Sequence, residues 1–195
     1  MKIVLASSNK HKVQEINEIT AKICDGVEFI LPPENFDPVE NGETFAENSY
    51  IKAKAAWDIS HTWVLADDSG LCIDALGGKP GIFSARYAET PQLRIERVLN
   101  EMKDVPSDKR NAHFTCDMTL INPQGEIEYK VEGRCSGSIV DSARGVNGFG
   151  YDPIFLVKGD TRTMAELSED EKNQISHRSD ALRKVLEYVL KHNNM

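Results

Sequence analysis

The sequence lacks paired cysteine motifs and long apolar runs, and these two absences exclude two classes of protein. Its four cysteines are widely spaced, with no C-x-x-C pair and no zinc-like spacing to the five histidines. No apolar run approaches the roughly 18 residues that a membrane-spanning helix needs. We therefore expect reduced cysteines in the core, and no membrane span.

The chain also lacks an excess of positive charge. Aspartate and glutamate number 31 against 23 lysines and arginines, a net charge of −8, which disfavours binding to nucleic acid polymers or anionic membranes. Any handling of phosphate must therefore be local. The sequence begins without a basic segment followed by an apolar one, so a cytoplasmic location is expected. Because no linker or break in composition interrupts it, residues 1–195 are predicted to form one domain.

The order of hydrophobic patterns predicts a mixed α/β fold. "KIVLA" reads as a strand before a segment of helical period, "VEFIL" as a second strand and "TWVLA" as a third, buried strand. Thr44 and Glu47 form a capping-box pattern that opens a helix running to about Ser60. Two β-rich runs around Asn-Pro-Gln-Gly predict a long hairpin. "IFLV" predicts a further strand, and the segment from Ser179 to about His192 an amphipathic helix.

The stretch "DDSGL" places Asp67 and Asp68 directly after the third predicted strand. Ligands of α/β proteins usually lie beyond the carboxyl ends of the strands. Carboxylate oxygens suit magnesium, which commonly takes one or two carboxylates together with substrate phosphates. The alternative is an Asp-Asp-Ser-Gly turn in which the carboxylates only bond to nearby amides.

Two further segments carry groups that suit phosphate. "SSNKHK", residues 7–12, places hydroxyls, an amide and lysines at a helix N-terminus, where the helix dipole favours anions. It is not a P-loop, and the alternative is a capped helix with solvated lysines. Glu40 lies in the loop before the second helix and Lys52 within it, so a loop carboxylate and a lysine could join the same site. The alternative for both is solvated surface.

The later motifs suit a flat ligand that carries carbonyl oxygens. "GFGYDP" sets Phe149 and Tyr151 among glycines, an arrangement that allows a flat ligand to stack, although a tight turn before a strand would use the same residues. Lys172, His177 and Arg178 supply hydrogen-bond donors just ahead of the last helix. They would read carbonyl oxygens of a ligand, or alternatively form a polar connector.

Taken together, "SSNKHK", "DDSGL", "LGGKPGIFSARYA", "GFGYDP" and "KNQISHR", in this order from residue 7 to residue 178, resemble the inosine triphosphate pyrophosphatase family. The resemblance implies a single elongated α/β domain with a central mixed sheet and two lobes flanking an active-site cleft. It also implies a homodimer, and magnesium-dependent hydrolysis of ITP, dITP and XTP to the monophosphate and pyrophosphate.

The resemblance further implies roles for individual residues. Asp68 would be the proton acceptor and would bind Mg²⁺ with Glu40, for which Glu34, Glu43 or Glu47 could substitute. Ser69 would touch the substrate. The phosphates would be held by Ser7, Ser8, Asn9, Lys10, His11 and Lys12, with Lys52 and Arg86 assisting. The base and sugar would be contacted by Phe149, Gly150, Tyr151, Asp152, Lys172, His177 and Arg178.

Two other functions compete with this interpretation. A Maf-like nucleotide pyrophosphatase with other substrates would share the strand-turn-helix start, but "SHR" and "GFGYDP" argue against it. A nucleotide-binding module without turnover is the second alternative. Loss of the acidic pair would indicate such a module, and Asp67 and Asp68 are both present.

Overall fold

The computed structural model describes residues 1–7, 10–32 and 36–192, apart from the side chains at positions 10 and 11. Ser8, Asn9 and Glu34, together with the side chains of Lys10 and His11, therefore lie outside the described part of the chain, and the predictions for them stay predictions. No helix of the described residues is long and apolar enough to cross a membrane.

A six-stranded sheet runs in the order β2-β1-β3-β4-β5-β6. Strand β1 pairs in parallel with both β2 and β3, whereas β5 and β6 are antiparallel. The sheet is therefore mixed, and the predicted α/β class is confirmed. The strands are β1 Lys2–Leu5, β2 Glu28–Ile30, β3 Val64–Ile73, β4 Asn111–Ile121, β5 Ile127–Ile139 and β6 Phe155–Val157.

The helices begin where side chains can satisfy their first amides. Thr44 and Glu47 form the predicted capping box of α2, and Thr90 caps α3 with a proline following it. The last helix begins at His177, two residues earlier than predicted. Helices α3 and α4 are absent from the sequence-based prediction. The helices are α1 Lys10–Ala21, α2 Phe45–Ser60, α3 Pro91–Glu101, α4 Glu169–Ile175 and α5 His177–His192.

The prediction that Asp67 and Asp68 follow the end of a strand is wrong. Strand β3 continues to Ile73, so both aspartates lie inside it. The alternative of a turn is wrong for the same reason. The turn-like composition of Asp-Asp-Ser-Gly is outweighed by the packing of this extended segment, because β preference depends strongly on tertiary context.

The described chain divides into two compact units, each with its own apolar core. The first comprises residues 1–68, 116–133 and 178–195, and the second residues 69–115 and 134–177. In the first unit, Leu65, Met118 and Leu186 belong to one buried cluster. In the second unit, Leu71, Val98 and Phe155 are among the residues buried together. The strands β3, β4 and β5 each contribute residues to both units.

All four cysteines fall within the described residues, and they form no disulfide. Cys116 and Cys135 are buried, as the sequence predicts, whereas Cys24 and Cys72 are partly exposed. Burial raises the pKa of the Cys116 thiol, so this thiol remains protonated at neutral pH.

Candidate active site

Asp67 is the most deeply buried carboxylate of the first unit, with 1% of its surface exposed. Both of its oxygens accept hydrogen bonds from Lys12 Nζ, at 3.1 and 2.9 Å. Arg178 Nε lies 3.5 Å from Asp67 Oδ2. Burial alone would raise the pKa of Asp67, but Lys12, Arg178 and Lys52 together hold it well below its usual value. The carboxylate is therefore ionised throughout the neutral range.

The guanidinium of Arg178 is buried, and it contacts acidic groups on two elements. Besides Asp67 on β3, it meets Glu15 on α1, with Nη1 2.8 Å from Glu15 Oε2. Burial alone would lower the pKa of Arg178, but the two carboxylates raise it above its usual value. In this arrangement Arg178 joins β3, α1 and the start of α5. The role predicted for it as a reader of the base stays a prediction.

Lys52 brings two of the predicted metal ligands together. Its Nζ lies 2.9 Å from Glu40 Oε2 and 3.0 Å from Asp68 Oδ1. Burial lowers the pKa of Lys52, yet Asp67, Asp68 and Glu40 outweigh that effect and raise it. Burial raises the pKa of Asp68 above its usual value despite the opposing charge of Lys52. Asp68 is thus the less acidic of the two adjacent aspartates.

A polar cavity of about 210 Å³ opens beside these groups in the first unit. Ser7, two residues beyond the end of β1, contributes to its wall together with Lys12 and Lys52. The cavity is lined by Ala6, Ser7, Lys12, Phe36, Asp37, Pro38, Glu40, Lys52 and Asp67.

The structure separates Glu40 from two of its possible substitutes. Glu47 accepts hydrogen bonds from the backbone amides of Glu43 and Thr44, at 2.6 and 3.2 Å, and so serves as the cap of α2. Glu43 contributes its backbone amide to this cap. Of Glu40, Glu43 and Glu47, Glu40 is the one whose carboxylate is paired with Lys52, which favours it as the loop carboxylate of the site.

A second group of predicted residues lies together in the second unit. Asp152 is buried, and its Oδ2 accepts hydrogen bonds from Lys172 Nζ at 2.6 Å and from the Phe149 amide at 2.9 Å. The Lys172 ammonium lies 4.5 Å from the centre of the Phe149 ring, which is 56% exposed. A Cβ at Gly148 would approach Asp152 Oδ2 to 2.1 Å. The tight turn therefore needs glycine there, and it presents an exposed aromatic face beside a cation.

The remaining predicted residues of the second unit make other contacts. Tyr151 is buried in the core, and its hydroxyl donates to the Ser84 carbonyl oxygen at 2.9 Å. The His177 ring stacks on Phe114 with centroids 4.9 Å apart. Arg86 is exposed and lies over the Phe83 ring. The predicted contacts of these residues with substrate, and those of Ser69 and Gly150, stay predictions.

Sequence reasoning missed two acidic groups that bear on the site. Glu15 stands three residues after Lys12, a spacing that places both on one face of α1, and that spacing was the available signal. Asp117 on β4 is half-buried, and burial, Glu132 and Asp68 raise its pKa to about 6. No local signal distinguishes it, because its environment depends on strand pairing.

Lysines and carboxylates that line a polar cavity of an α/β fold are typical of an enzyme that handles phosphate esters or anhydrides. The family model of the Ham1 family matches residues 3–188. The chain belongs to the Ham1 family.

Curated and solved relatives cover nearly the whole chain. The dITP/XTP pyrophosphatase of Bacillus cereus is 45% identical over 96% of this chain and 94% of its own length. The dITP/XTP pyrophosphatase of Halalkalibacterium halodurans is 47% identical over 93% of this chain and 95% of its own length. Among solved structures, a HAM1 protein from Coxiella burnetii is 40% identical with a TM-score of 0.88, over 98% of this chain and 99% of its own. The Staphylococcus aureus Ham1 protein is 38% identical with a TM-score of 0.85, over 100% of both chains.

Replacing Asp67 by asparagine should lower the free energy of unfolding by about 3 kcal/mol at pH 7, the low end for a broken buried ion pair, because Lys12 and Arg178 would lose the carboxylate they share while Arg178 keeps Glu15. The native pKa of Asp67 is below that of the unfolded chain. Its stabilisation is therefore complete above about pH 4 and is lost as the pH falls further toward the native pKa. The difference in the free energy of unfolding between wild type and Asp67→Asn should therefore be smaller at pH 3–4 than at pH 7. Urea unfolding of both proteins at the two pH values measures it.

The matched control is Asp58→Asn, which removes an exposed partner of Lys54 on α2. This change should cost less than about 1 kcal/mol. Equal costs for the two substitutions at pH 7 would contradict the assignment of Asp67 as the carboxylate on which the first unit depends.

Proposed function

We propose that this chain hydrolyses non-standard purine nucleoside triphosphates, namely ITP, dITP and XTP, to the nucleoside monophosphate and pyrophosphate. Membership of the Ham1 family and the names of its relatives support this class of substrate. The observation that carries the proposal locally is the Lys52 ammonium held between the carboxylates of Glu40 and Asp68, at the cavity that Ser7 and Lys12 also line.

The charges of this group favour a divalent cation as the cofactor. Among the described side chains, the carboxylates of Glu40, Asp67 and Asp68 face the cations of Lys12, Lys52 and Arg178. The group thus carries no surplus of positive charge with which to bind a triphosphate.

Glu40 and Asp68 already share one cation, the ammonium of Lys52, so their oxygens fit a hard metal ion. We propose that they would hold Mg²⁺, which suits one or two carboxylates together with phosphates and waters. The described residues hold no set of three or more His, Cys, Asp or Glu grouped for a metal. When bound, Mg²⁺ would neutralise phosphate charge and polarise a phosphoryl oxygen.

The reaction then requires residues of the chain to align the triphosphate and to accept a proton. Lys12 and Lys52 would pair with phosphate oxygens and align the triphosphate, because phosphoryl transfer depends mainly on positioning and charge stabilisation. Asp68 would accept a proton from the attacking water at its carboxylate. Burial raises the pKa of this carboxylate, which is the direction that favours accepting a proton.

Base recognition is proposed for the group around Asp152. The exposed Phe149 ring would stack on a purine, and the Lys172 ammonium beside it would donate to the C6 carbonyl of hypoxanthine or xanthine. Lys172 is itself held by Asp152, which fixes the direction of the donor. His177 and Arg178 stay in the proposal as further donors to the base.

The remaining features are proposed from the resemblance. They are a homodimer, a cytoplasmic location and a single domain over residues 1–195. The family assignment favours this activity over a Maf-like enzyme. The presence of both aspartates on β3, one of them with a raised pKa, favours turnover over a binding module.

The bond that is cleaved tests the proposal directly. If the lysines hold the β- and γ-phosphates while Asp68 directs water to the α-phosphorus, the leaving group is pyrophosphate. Phosphorus NMR of an ITP digest should show inosine monophosphate and pyrophosphate as the products. Accumulation of inosine diphosphate with orthophosphate would contradict this mechanism.

Asp68→Asn should reduce kcat by at least about 100-fold, because it removes the proton acceptor and one negative charge while keeping the side-chain shape. The melting temperature should change little, since Asp68 is the less buried of the two aspartates. Steady-state kinetics and thermal unfolding of the same preparation measure both. An active variant, or one inactive only because it is unfolded, would refute the role of Asp68.

ITP and XTP should be hydrolysed with a kcat/KM at least about 100-fold higher than ATP and GTP. Adenine presents an amino group where Lys172 offers a donor, and leaving a buried polar group unpaired costs roughly 1–3 kcal/mol. Guanine keeps the C6 carbonyl, so its exclusion needs a close-packed or donor-lined C2 edge. The measurement compares ITP, dITP, XTP, GTP and ATP at one magnesium concentration, and GTP turnover within about tenfold of ITP would overturn the proposed recognition.

A further inference from the structure

Glu40 lies in a loop, yet its carboxylate is held in a defined place relative to Lys52. A loop residue needs some support to keep its position, and two residues of α2 contact the backbone that follows Glu40. One is the capping residue Glu47, which accepts hydrogen bonds from the amides of Glu43 and Thr44. The other is Asn48, whose role neither capping nor the proposed chemistry explains.

Asn48 is 1% exposed, and its Oδ1 accepts a hydrogen bond of 2.8 Å from the amide of Gly42, two residues after Glu40. The backbone at Gly42 is pressed against the helix. A Cβ at that position would lie 2.7 Å from the Glu47 Cβ and 2.8 Å from Asn48 Oδ1. A buried asparagine and a glycine without room for a side chain therefore clamp the loop to the first turn of α2.

The same helix is fixed to β3 one residue further on. Ser49 is fully buried, and its hydroxyl contacts the Ala66 carbonyl oxygen and the Thr119 hydroxyl, each at 3.1 Å. Lys52 follows Ser49 by three residues, so these two side chains lie on the same side of α2. On β3, Ala66 precedes Asp68 by two residues. The contacts of Ser49 with Ala66 and Thr119 therefore fix α2, and with it Lys52, beside Asp68. The bond from Asn48 to the Gly42 amide fixes the loop of Glu40 to the same helix.

We propose that Asn48 is a positioning residue, acting through the Gly42 amide to hold the Glu40 carboxylate where it can share a cation with Asp68. The inference rests on the proposed function, because it takes Glu40 to be a ligand of that cation. Loss of the clamp would release the loop and leave Asp68 and Lys52 in place. Groups that orient a metal ligand typically contribute 10–100-fold to metal affinity.

The test measures binding rather than turnover. The α,β-methylene analogue of ITP cannot be cleaved at the proposed bond, and calorimetry gives the magnesium concentration needed for half-maximal binding of this analogue. Asn48→Ala should raise that concentration by about 10-fold, as Glu40→Gln should. Adding Asn48→Ala to Glu40→Gln should change it little further, because Asn48 acts through Glu40. Gly42→Ala should act in the same direction as Asn48→Ala.

The matched control is Asn17→Ala. Asn17 also clamps backbone, donating to the Phe29 carbonyl and accepting from the Phe29 amide, each at 2.9 Å. Its side-chain hydrogen bonds join α1 to β2, away from the loop of Glu40, so its loss should lower the melting temperature and leave the magnesium requirement unchanged. Asn48→Asp, which keeps an acceptor for Gly42, should restore most of the wild-type requirement.

Two results would overturn the inference. One is an Asn48→Ala protein whose magnesium requirement matches that of wild type. The other is a full additional effect of Asn48→Ala in the Glu40→Gln background. Failure of the wild-type protein to bind the analogue in the presence of magnesium would instead contradict the proposed function, so the two failures are distinguishable.

Discussion

The first unit depends on one buried carboxylate and the two cations that surround it. Asp67 would be too costly to bury alone, and Lys12 and Arg178 offset that cost from two different helices. This interaction ties the middle of β3 to the start of α1 and the start of α5, segments far apart in the chain. It also pairs the Lys12 ammonium, which lines the polar cavity, with a carboxylate.

The adjacent position on β3 has a different environment. Successive side chains of a strand point in opposite directions, so Asp67 and Asp68 meet different partners although they are neighbours in sequence. Asp67 faces a lysine and a buried arginine and stays strongly acidic, whereas Asp68 faces Lys52 and is less acidic. The extended geometry of the strand thus gives neighbouring aspartates pKa values that are shifted in opposite directions.

The sequence predicts the parts of this molecule that local chemistry determines. Thr44 and Glu47 mark the start of α2 because a capping box involves only nearby amides. The extent of β3 was not predictable, since a turn-like composition is overcome there by packing. The contact of Arg178 with Glu15 joins residues at opposite ends of the chain, and no spacing in one sequence indicates such a pair. The motifs thus identify the residue types of the site but leave open which charges neutralise one another.

The hold of α2 on the loop before it bears on how relatives of this chain can differ in length. From Asn48, which holds the Gly42 amide, to Lys52 every position lies in α2, and one inserted residue there would turn the lysine about 100° away from its partners. Natural insertions and deletions should therefore avoid this interval. A homologue that changes length inside it would have to build the cation site from other residues.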